Sequence, residues 1–283
     1  MRTKHLIFYA VILFFLILPI GIRGQGMTTE KQGENNTGWA RHPWFGKRVG
    51  YIGDSITDPN NPAIKQYWSF LQEWLGITPF NYAVSGRQWN DVPRQAEQIK
   101  NDHWNEVDAI LVFMGTNDFN MSVPIGDWFI EKEEQVMAAH GEIKQPVTRR
   151  HRTPVMSDKT FKGRINIGIT KMKELFPDKQ IVILTPLHRA LADFGERNLQ
   201  PDENYQNGCS EYIDAYIQTI KEASNIWGVT VIDLNALSGL NPMVESQLQY
   251  FANVEFDRLH PNTAGHERIA RVLLYQLMAL PVF

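Results

Sequence analysis

The chain has 283 residues, of which 43% are hydrophobic and 21% charged, and its formal net charge is −3. These proportions are typical of a globular protein, and a mildly acidic chain does not favour binding to nucleic acid or to anionic membrane surfaces. Cys209 is the single cysteine, so the chain cannot form an internal disulfide bond.

The first 24 residues have the pattern of a secretion signal. Arg2 and Lys4 precede an unbroken apolar run from Leu6 to Leu18, and small residues follow it. The alternative is an uncleaved membrane anchor, because Leu6–Ile22 is close to the shortest length that spans a bilayer. We predict a signal at 1–24 and a secreted or periplasmic protein. Removing the three basic residues of the signal takes the net charge from −3 to −6.

Residues 25–40 carry few apolar side chains, so burial cannot offset the entropy of ordering them, and we predict a flexible linker there. The rest, 41–283, is long enough for one α/β domain. Its third and fourth strand-like runs are continuously apolar, as in a parallel sheet buried on both faces. The five predicted strands are Val49–Ile52, Pro79–Val84, Ala109–Met114, Ile181–Leu184 and Val229–Leu234.

Helical patterns lie between and after these strands. Apolar residues three or four positions apart mark one buried face of a helix in four segments, Ile64–Leu75, Phe161–Phe176, Tyr212–Ile220 and Ile269–Leu280. The alternation of strands and helices predicts a three-layer α/β/α sandwich around a five-stranded parallel sheet. In such a sheet the carboxyl ends of the strands share one edge, where ligands bind.

Residues suited to acyl transfer follow the predicted strands. Ser55 follows the first strand, Gly86 the second and Asn117 the third, while Asp257 and His260 lie beyond the last. A histidine can take the proton of a serine, and a carboxylate can orient the imidazole. We expect Asp257 and His260 to share one loop. The backbone N–H groups of Ser55 and Gly86, with the amide of Asn117, are suited to bind an oxyanion.

Four blocks give the chain a family resemblance. GDSIT at 53–57, the glycine after the second strand, GTND at 115–118 and DRLH at 257–260 occur in the order found in the SGNH, or GDSL-type, esterase and lipase family, which the chain resembles over nearly its whole mature length. One departure is Ile56, which follows the serine where leucine is commoner. This apolar exchange should leave the chemistry intact.

The resemblance implies a flavodoxin-like three-layer fold and a serine esterase that needs no cofactor. It implies that Ser55 is the nucleophile, His260 the base and Asp257 the partner that orients the base. It also implies an oxyanion hole formed by Ser55, Gly86 and Asn117. The alternative for Ser55 alone is a helix cap, since serine is favoured at that position.

Other polar and aromatic residues invite separate interpretations. We expect Asp54 and Asp118 to brace loops by accepting hydrogen bonds from backbone N–H groups, and His266 to be a surface or capping residue. Trp89 is either a wall of the substrate pocket or a core aromatic residue. The remaining histidines lack the spacing of metal ligands, so no metal site is predicted.

Two long insertions, near 119–157 and 188–208, interrupt the predicted scaffold. Long connections in a compact domain are often binding loops or lids, and the alternative is a solvated excursion. The sequence favours an exported serine esterase that removes small acyl groups, acetyl above all, from a small-molecule or polysaccharide ester. The alternatives are a lysophospholipase or thioesterase, and a non-catalytic carbohydrate-binding protein on the same scaffold. No membrane span is expected after cleavage, and the oligomeric state is not predicted.

Overall fold

The computed structural model describes residues 42–61, 65–141 and 143–283. The predicted signal and linker, and the first residue of the first predicted helix, lie outside the described residues. Within the described ranges, none of the helices is both long and apolar enough to cross a membrane.

Eleven strands and seven α-helices are described. The strands are β1 (Arg48–Gly53), β2 (Thr78–Asn81), β3 (Ala109–Phe113), β4 (Phe129–His140), β5 (Ile143–Pro154), β6 (Gln180–Leu184), β7 (Ala192–Asp193), β8 (Leu199–Gln200), β9 (Thr230–Ile232), β10 (Phe251–Asn253) and β11 (Asp257–Pro261). The helices are α1 (Tyr67–Leu75), α2 (Val92–His103), α3 (Thr116–Asn120), α4 (Phe161–Leu175), α5 (Ile213–Trp227), α6 (Leu234–Leu237) and α7 (Thr263–Met278).

The central sheet has five strands in the order β2-β1-β3-β6-β9, and all neighbouring pairs are parallel. This confirms the predicted fold class. The order places β1 and β3 side by side at the centre, with Tyr51 opposite Leu111. The segments after these two strands, which carry Ser55 and Asn117, therefore emerge next to each other at one edge.

Side chains of the central strands alternate between two hydrophobic layers. On β3, Ile110 and Val112 pack with α2, α4 and α5, whereas Ala109, Leu111 and Phe113 pack with α1 and α7. Because both faces are covered, the strand is apolar throughout, which explains its continuous apolar run. Helix α2 was not predicted from the sequence.

A second, smaller sheet was also not predicted. Its four strands have the order β10-β11-β7-β8, and all its pairs are antiparallel. Asp257 and His260 both lie on β11, so the expectation that they share a loop is wrong. The reason is that β11 pairs with β10 on one side and, on the other, with β7, which the insertion at 188–208 supplies.

The insertion near 119–157 contains the antiparallel pair β4–β5, which we call the ribbon (129–154). Its twelve-residue strands pair in register from Phe129 opposite Pro154 to His140 opposite Ile143. Most of its described side chains are exposed on both faces. Its base is held by Asn166, whose Nδ2 donates to the carbonyls of Trp128 and Val155, both at 3.0 Å.

Candidate active site

Ser55 lies in a tight turn directly after β1. The N–H groups of Thr57 and Asp58 both donate to the carbonyl of Asp54, at 3.0 and 2.9 Å. Gly53 makes this turn possible, since a Cβ there would come within 2.7 Å of the Thr57 side chain and 3.0 Å of the Phe113 carbonyl. The turn presents the Ser55 hydroxyl at the sheet edge.

Ser55, His260 and Asp257 form a hydrogen-bonded chain. The Ser55 hydroxyl lies 2.8 Å from Nε2 of His260. On the other side of the ring, Nδ1 lies 2.9 Å from Oδ2 of Asp257 and 3.1 Å from Oδ1. The backbone N–H of His260 also donates to Oδ1, at 3.0 Å. This arrangement can accept the serine proton as the oxygen attacks an ester.

The environment of Asp257 favours its ionised form. Burial by itself raises the pKa of this carboxyl, but the hydrogen bond and charge of His260 and the backbone N–H groups of Leu259 and His260 outweigh burial, so the pKa of Asp257 is lowered. An ionised carboxylate keeps a proton on Nδ1 of His260 and leaves Nε2 as the acceptor that faces Ser55.

Three hydrogen-bond donors belong to residues that line one cavity with the Ser55 hydroxyl. Within the described residues, the backbone N–H groups of Ser55 and Gly86 donate to no protein acceptor. Gly86 has φ +78°, a left-handed conformation that favours glycine. Asn117 is fixed because its Nδ2 donates to the Arg87 carbonyl at 3.0 Å, and that nitrogen carries a second hydrogen. The structure thus brings all five predicted site residues together.

Two carboxylates hold the loop that carries Gly86. Oδ2 of Asp58 accepts hydrogen bonds from the N–H and the hydroxyl of Ser85, both at 2.7 Å. At the far end of the loop, Oδ2 of Asp118 accepts from the Trp89 N–H at 3.0 Å. The role of Asp58 was not predicted, although this residue stands three residues after Ser55 in the stretch GDSITD.

The predicted bracing role of Asp54 and Asp118 is confirmed. Oδ1 of Asp54 accepts from the Ile56 N–H at 3.1 Å, and Asp118 also accepts from Arg164 Nη1 at 2.9 Å. Burial raises the pKa of Asp54 to about 7 and the pKa of Asp118 to about 6. Both carboxylates lie beneath the site and act on its loops.

The Ser55 hydroxyl faces a cavity of about 340 Å³, which we call the catalytic cavity. Three of its lining residues, Phe194, Asn198 and Gln200, belong to the insertion at 188–208. The ring centroid of Phe194 lies 5.5 Å from that of His260. The other lining residues are Ser55, Asn60, Asn61, Ser85, Gly86, Asn117, Asp257, Leu259 and His260. Within the described residues, the ribbon contributes none.

Two predicted residues take other positions. Trp89 is fully buried in the core and its Nε1 donates to the Met114 carbonyl at 3.3 Å, so it is no wall of the catalytic cavity and the core interpretation is correct. His266 is also fully buried, and its ring stacks on that of Tyr67 with centroids 6.2 Å apart. The expectation of a surface or capping residue is wrong, and burial lowers the pKa of His266 to about 3.

A buried arginine behind the catalytic cavity was missed by the sequence analysis. Arg189 is 1% exposed, and its Nη1 donates to Thr116 Oγ1 at 3.1 Å while its Nη2 donates to Gln200 Oε1 at 2.5 Å. Burial lowers the pKa of Arg189 to about 10, so it remains a cation at neutral pH. It connects the helix of Asn117 to β8. The one sequence signal for a role near the site was that Arg189 lies just beyond the carboxyl end of the predicted strand Ile181–Leu184.

Metal-binding side chains do not converge in the described part of the chain, where no group of three or more histidine, cysteine or carboxylate residues is placed to hold an ion.

The chain matches a protein-family model over most of its length. The model of the GDSL-like Lipase/Acylhydrolase family matches residues 51–268, which include every residue of the hydrogen-bonded chain and the three residues predicted to form the oxyanion hole. No curated protein matches the chain significantly.

Solved structures share the fold at low sequence identity. A protein from Lactobacillus plantarum is 24% identical with a TM-score of 0.61, and covers 82% of this chain and 96% of its own. A possible lipase from Chitinophaga pinensis is 20% identical with a TM-score of 0.57, covering 81% and 97%. A catalytic mutant of Axe2, an acetylxylan esterase from Geobacillus stearothermophilus, is 19% identical with a TM-score of 0.50, covering 83% and 95%.

Proposed function

The chain belongs to the GDSL-like lipase/acylhydrolase family of ester-hydrolysing enzymes, and from this premise we propose that it is an exported serine esterase that removes small acyl groups, acetyl above all, from carbohydrates. The observation that carries the proposal is the 2.8 Å contact between the Ser55 hydroxyl and Nε2 of His260, with Asp257 behind the ring. Export rests on the N-terminal sequence pattern alone.

The reaction would proceed through an acyl-enzyme. His260 takes the Ser55 proton as Oγ attacks the ester carbonyl, and Asp257 stabilises the imidazolium. The N–H groups of Ser55 and Gly86 and the amide of Asn117 donate to the oxyanion of the tetrahedral intermediate. His260 then returns the proton to the leaving alcohol. A water molecule, activated by the same imidazole, cleaves the acyl-enzyme and frees the acid.

The catalytic cavity supports a small acyl group on a polar carrier. Its volume of about 340 Å³ is at the low end of the roughly 300–1,000 Å³ that is typical of ligand pockets. Seven of its lining side chains carry a hydroxyl or an amide, and Phe194 and Leu259 are the two apolar ones. The polar groups can hydrogen-bond the hydroxyls of a sugar, and the small volume leaves little room for a long hydrocarbon chain. The acetylxylan esterase with the same fold makes acetylated xylan a sensible first substrate to test.

The test is hydrolysis of 4-nitrophenyl acetate and release of acetate from acetylated polysaccharides. Ser55→Ala should reduce turnover of both substrates to background, because the nucleophile is lost. Ser246→Ala, at an exposed serine outside the catalytic cavity, is the matched control. A fluorophosphonate probe should label the wild-type enzyme on the peptide that contains Ser55. Turnover or labelling that persists in Ser55→Ala would refute the assignment.

Two other functions give different results in the same assays. A lysophospholipase or thioesterase would hydrolyse long acyl chains faster than acetyl, so a series of 4-nitrophenyl esters from C2 to C12 separates it from the proposal. A non-catalytic carbohydrate-binding protein would bind polysaccharide without ester turnover or probe labelling. The intact hydrogen-bonded chain of Ser55, His260 and Asp257 argues against this last function.

A further inference from the structure

A second cavity, of about 220 Å³, adjoins the catalytic cavity. The same two elements border both cavities. On α3, Asn117 lines the catalytic cavity, whereas Phe119 and Asn120 line the second. On β8, Gln200 lines the catalytic cavity and Leu199 lines the second cavity. Since neighbouring residues of a strand point to opposite faces, the two cavities are separated by little more than this strand and helix.

The partition between the cavities is fixed by Arg189. Its guanidinium donates to Thr116 on α3 and to Gln200 on β8, at 3.1 and 2.5 Å. The guanidinium carbon also lies 5.6 Å from the ring centroid of Phe119, in the geometry of a cation–π contact. The second cavity is therefore held at a constant position relative to Ser55.

Hydrogen bonds also preform the outer wall of the second cavity. Asn207 Nδ2 donates to the Phe119 carbonyl at 3.1 Å and to the Tyr216 hydroxyl at 2.8 Å. The Gly208 N–H donates to the Ser122 hydroxyl at 2.8 Å. The loop that carries Tyr205 is thus tied to the end of α3, and a ligand would not have to order it on binding.

The lining of the second cavity combines aromatic, aliphatic and polar groups. Tyr205 is 64% exposed and Leu199 61% exposed, which leaves their apolar surfaces available to a ligand. Asn120, Asp202 and Gln206 add amide and carboxylate groups around them. Apolar faces edged by hydrogen-bonding groups match a pyranose ring, which has apolar C–H faces and a rim of hydroxyls.

We propose that the second cavity is a subsite for a sugar residue of the polysaccharide whose acyl group lies in the catalytic cavity, with the exposed Tyr205 packing on the sugar face. The proposal rests on the proposed carbohydrate esterase activity. The subsite contributes affinity for long substrates and takes no part in the bond changes at Ser55.

Tyr205→Ala tests the subsite because the substitution should impair the reaction with a polysaccharide and not the reaction with a small ester. For acetylated xylan, KM should rise about tenfold while kcat stays within about twofold, because the tyrosine acts on binding alone. For 4-nitrophenyl acetate, kcat/KM should stay within about twofold, because that ester does not reach the second cavity. Tyr205→Phe should keep most of the affinity, since the ring remains. Tyr212→Ala, at a tyrosine that is 46% exposed and outside both cavities, is the control.

The outcomes separate failure of the subsite from failure of the proposed function. Equal losses on both esters, or no change on either, would overturn the subsite while leaving the esterase intact. If the wild type releases no acetate from any polysaccharide, the carbohydrate proposal fails. The subsite is then tested by titrating Ser55→Ala with unacetylated xylo-oligosaccharides in a calorimeter. Weaker binding after Tyr205→Ala is combined with Ser55→Ala supports the subsite. The subsite is overturned if Ser55→Ala does not bind the oligosaccharides, or if adding Tyr205→Ala leaves the affinity unchanged.

Discussion

The two long insertions differ in how they relate to the catalytic centre. The insertion at 188–208 joins the strand of Asp257 and His260: the Ala190 N–H donates to the Arg258 carbonyl at 3.1 Å, and the Arg258 N–H to the Leu191 carbonyl at 3.0 Å. The ribbon pairs only with itself among the described strands, and none of its described residues lines the catalytic cavity.

An insertion in this fold reaches the site through its backbone pairing. Both insertions are long, charged and polar, and their sequences allow the same two interpretations, a binding loop or lid and a solvated excursion. The insertion at 188–208 lines the catalytic cavity because β7 pairs with β11, which places Phe194 beside His260. The ribbon is an excursion, as two open strand edges project from a base held by Asn166.

The largest expected difference between the insertions concerns their arginines. Arg189→Met should lower the free energy of unfolding by about 3 kcal/mol, because it leaves the buried acceptors on Thr116 and Gln200 unpaired. Arg150→Met on the ribbon should cost less than about 0.5 kcal/mol, since its side chain is 78% exposed and its pair with Glu131 is solvated. Urea unfolding at neutral pH measures both changes. Similar losses of unfolding free energy in the two variants would contradict the inference that only the insertion at 188–208 is tied to the site.

The aromatic side chains give the next effect. Phe194→Ala should lower kcat/KM for 4-nitrophenyl acetate about tenfold, because the ring, whose centroid lies 5.5 Å from that of His260, lines the cavity that the ester must enter. Ile130→Ala, at a ribbon residue that is 64% exposed, is the matched control and should change kcat/KM less than about twofold. An Ile130 variant as impaired as the Phe194 variant would show that the ribbon acts on catalysis.

A smaller effect comes from one histidine–glutamate pair in each insertion. His188 Nδ1 lies 2.6 Å from Glu203, and this hydrogen bond raises the pKa of His188 above its ordinary value of 6.5. A raised histidine pKa means that the folded state binds the proton more tightly. The pair therefore contributes stability that is full below about pH 6.5 and is lost as the pH rises through the folded-state pKa.

A double-mutant cycle at several pH values measures this contribution. With His188→Gln and Glu203→Gln, the coupling free energy should be about 1 kcal/mol or less at acidic pH and should vanish in alkali. The same cycle on the ribbon pair of His151 and Glu134, which is 2.9 Å apart with side chains 57% and 37% exposed, should give a smaller coupling because solvent screens it. A coupling at His188 that grows with pH would have the wrong sign.

Shortening the ribbon should have the smallest effect. In the ribbon, Lys132 lies opposite His151, and His140 lies opposite Ile143. Antiparallel pairs alternate between hydrogen-bonded and non-hydrogen-bonded types. These two pairs are eight positions apart, so they are of the same type. Deleting 133–140 and 143–150 therefore leaves residues 141 and 142 to link the two strands of the shorter hairpin, as they link those of the full one. The kcat/KM for 4-nitrophenyl acetate should remain within about twofold. A tenfold loss would mean that the ribbon belongs to the active site.

The central sheet was predictable because strands covered on both faces must be apolar throughout, and such runs are easily recognised. Helix α2 was missed because a glutamine interrupts its apolar stripe. Gln95 is fully buried, and its amide accepts from the Gly53 N–H at 2.9 Å and donates to the Gly53 carbonyl at 3.0 Å. The ribbon was missed because its strands bury neither face, so no alternation of apolar and polar residues marks them.

The candidate site was predictable where short motifs carry it. Ser55, Asn117 and His260 stand in blocks with fixed spacing, and the structure brings these blocks together. The contribution of Arg189 was not predictable, because it depends on which strand the insertion at 188–208 pairs with. Trp89 was ambiguous because its closeness to Gly86 in sequence says nothing about which way the ring turns.

The hydrogen bond between Ser55 and His260 joins residues 205 positions apart. Bringing such distant residues together is entropically costly, and such contacts form slowly during folding. Under the proposed function, an unfolded polypeptide therefore has a Ser55 hydroxyl without the base that activates it. The onset of ester hydrolysis during refolding would report that the strand of His260 has docked beside the turn of Ser55.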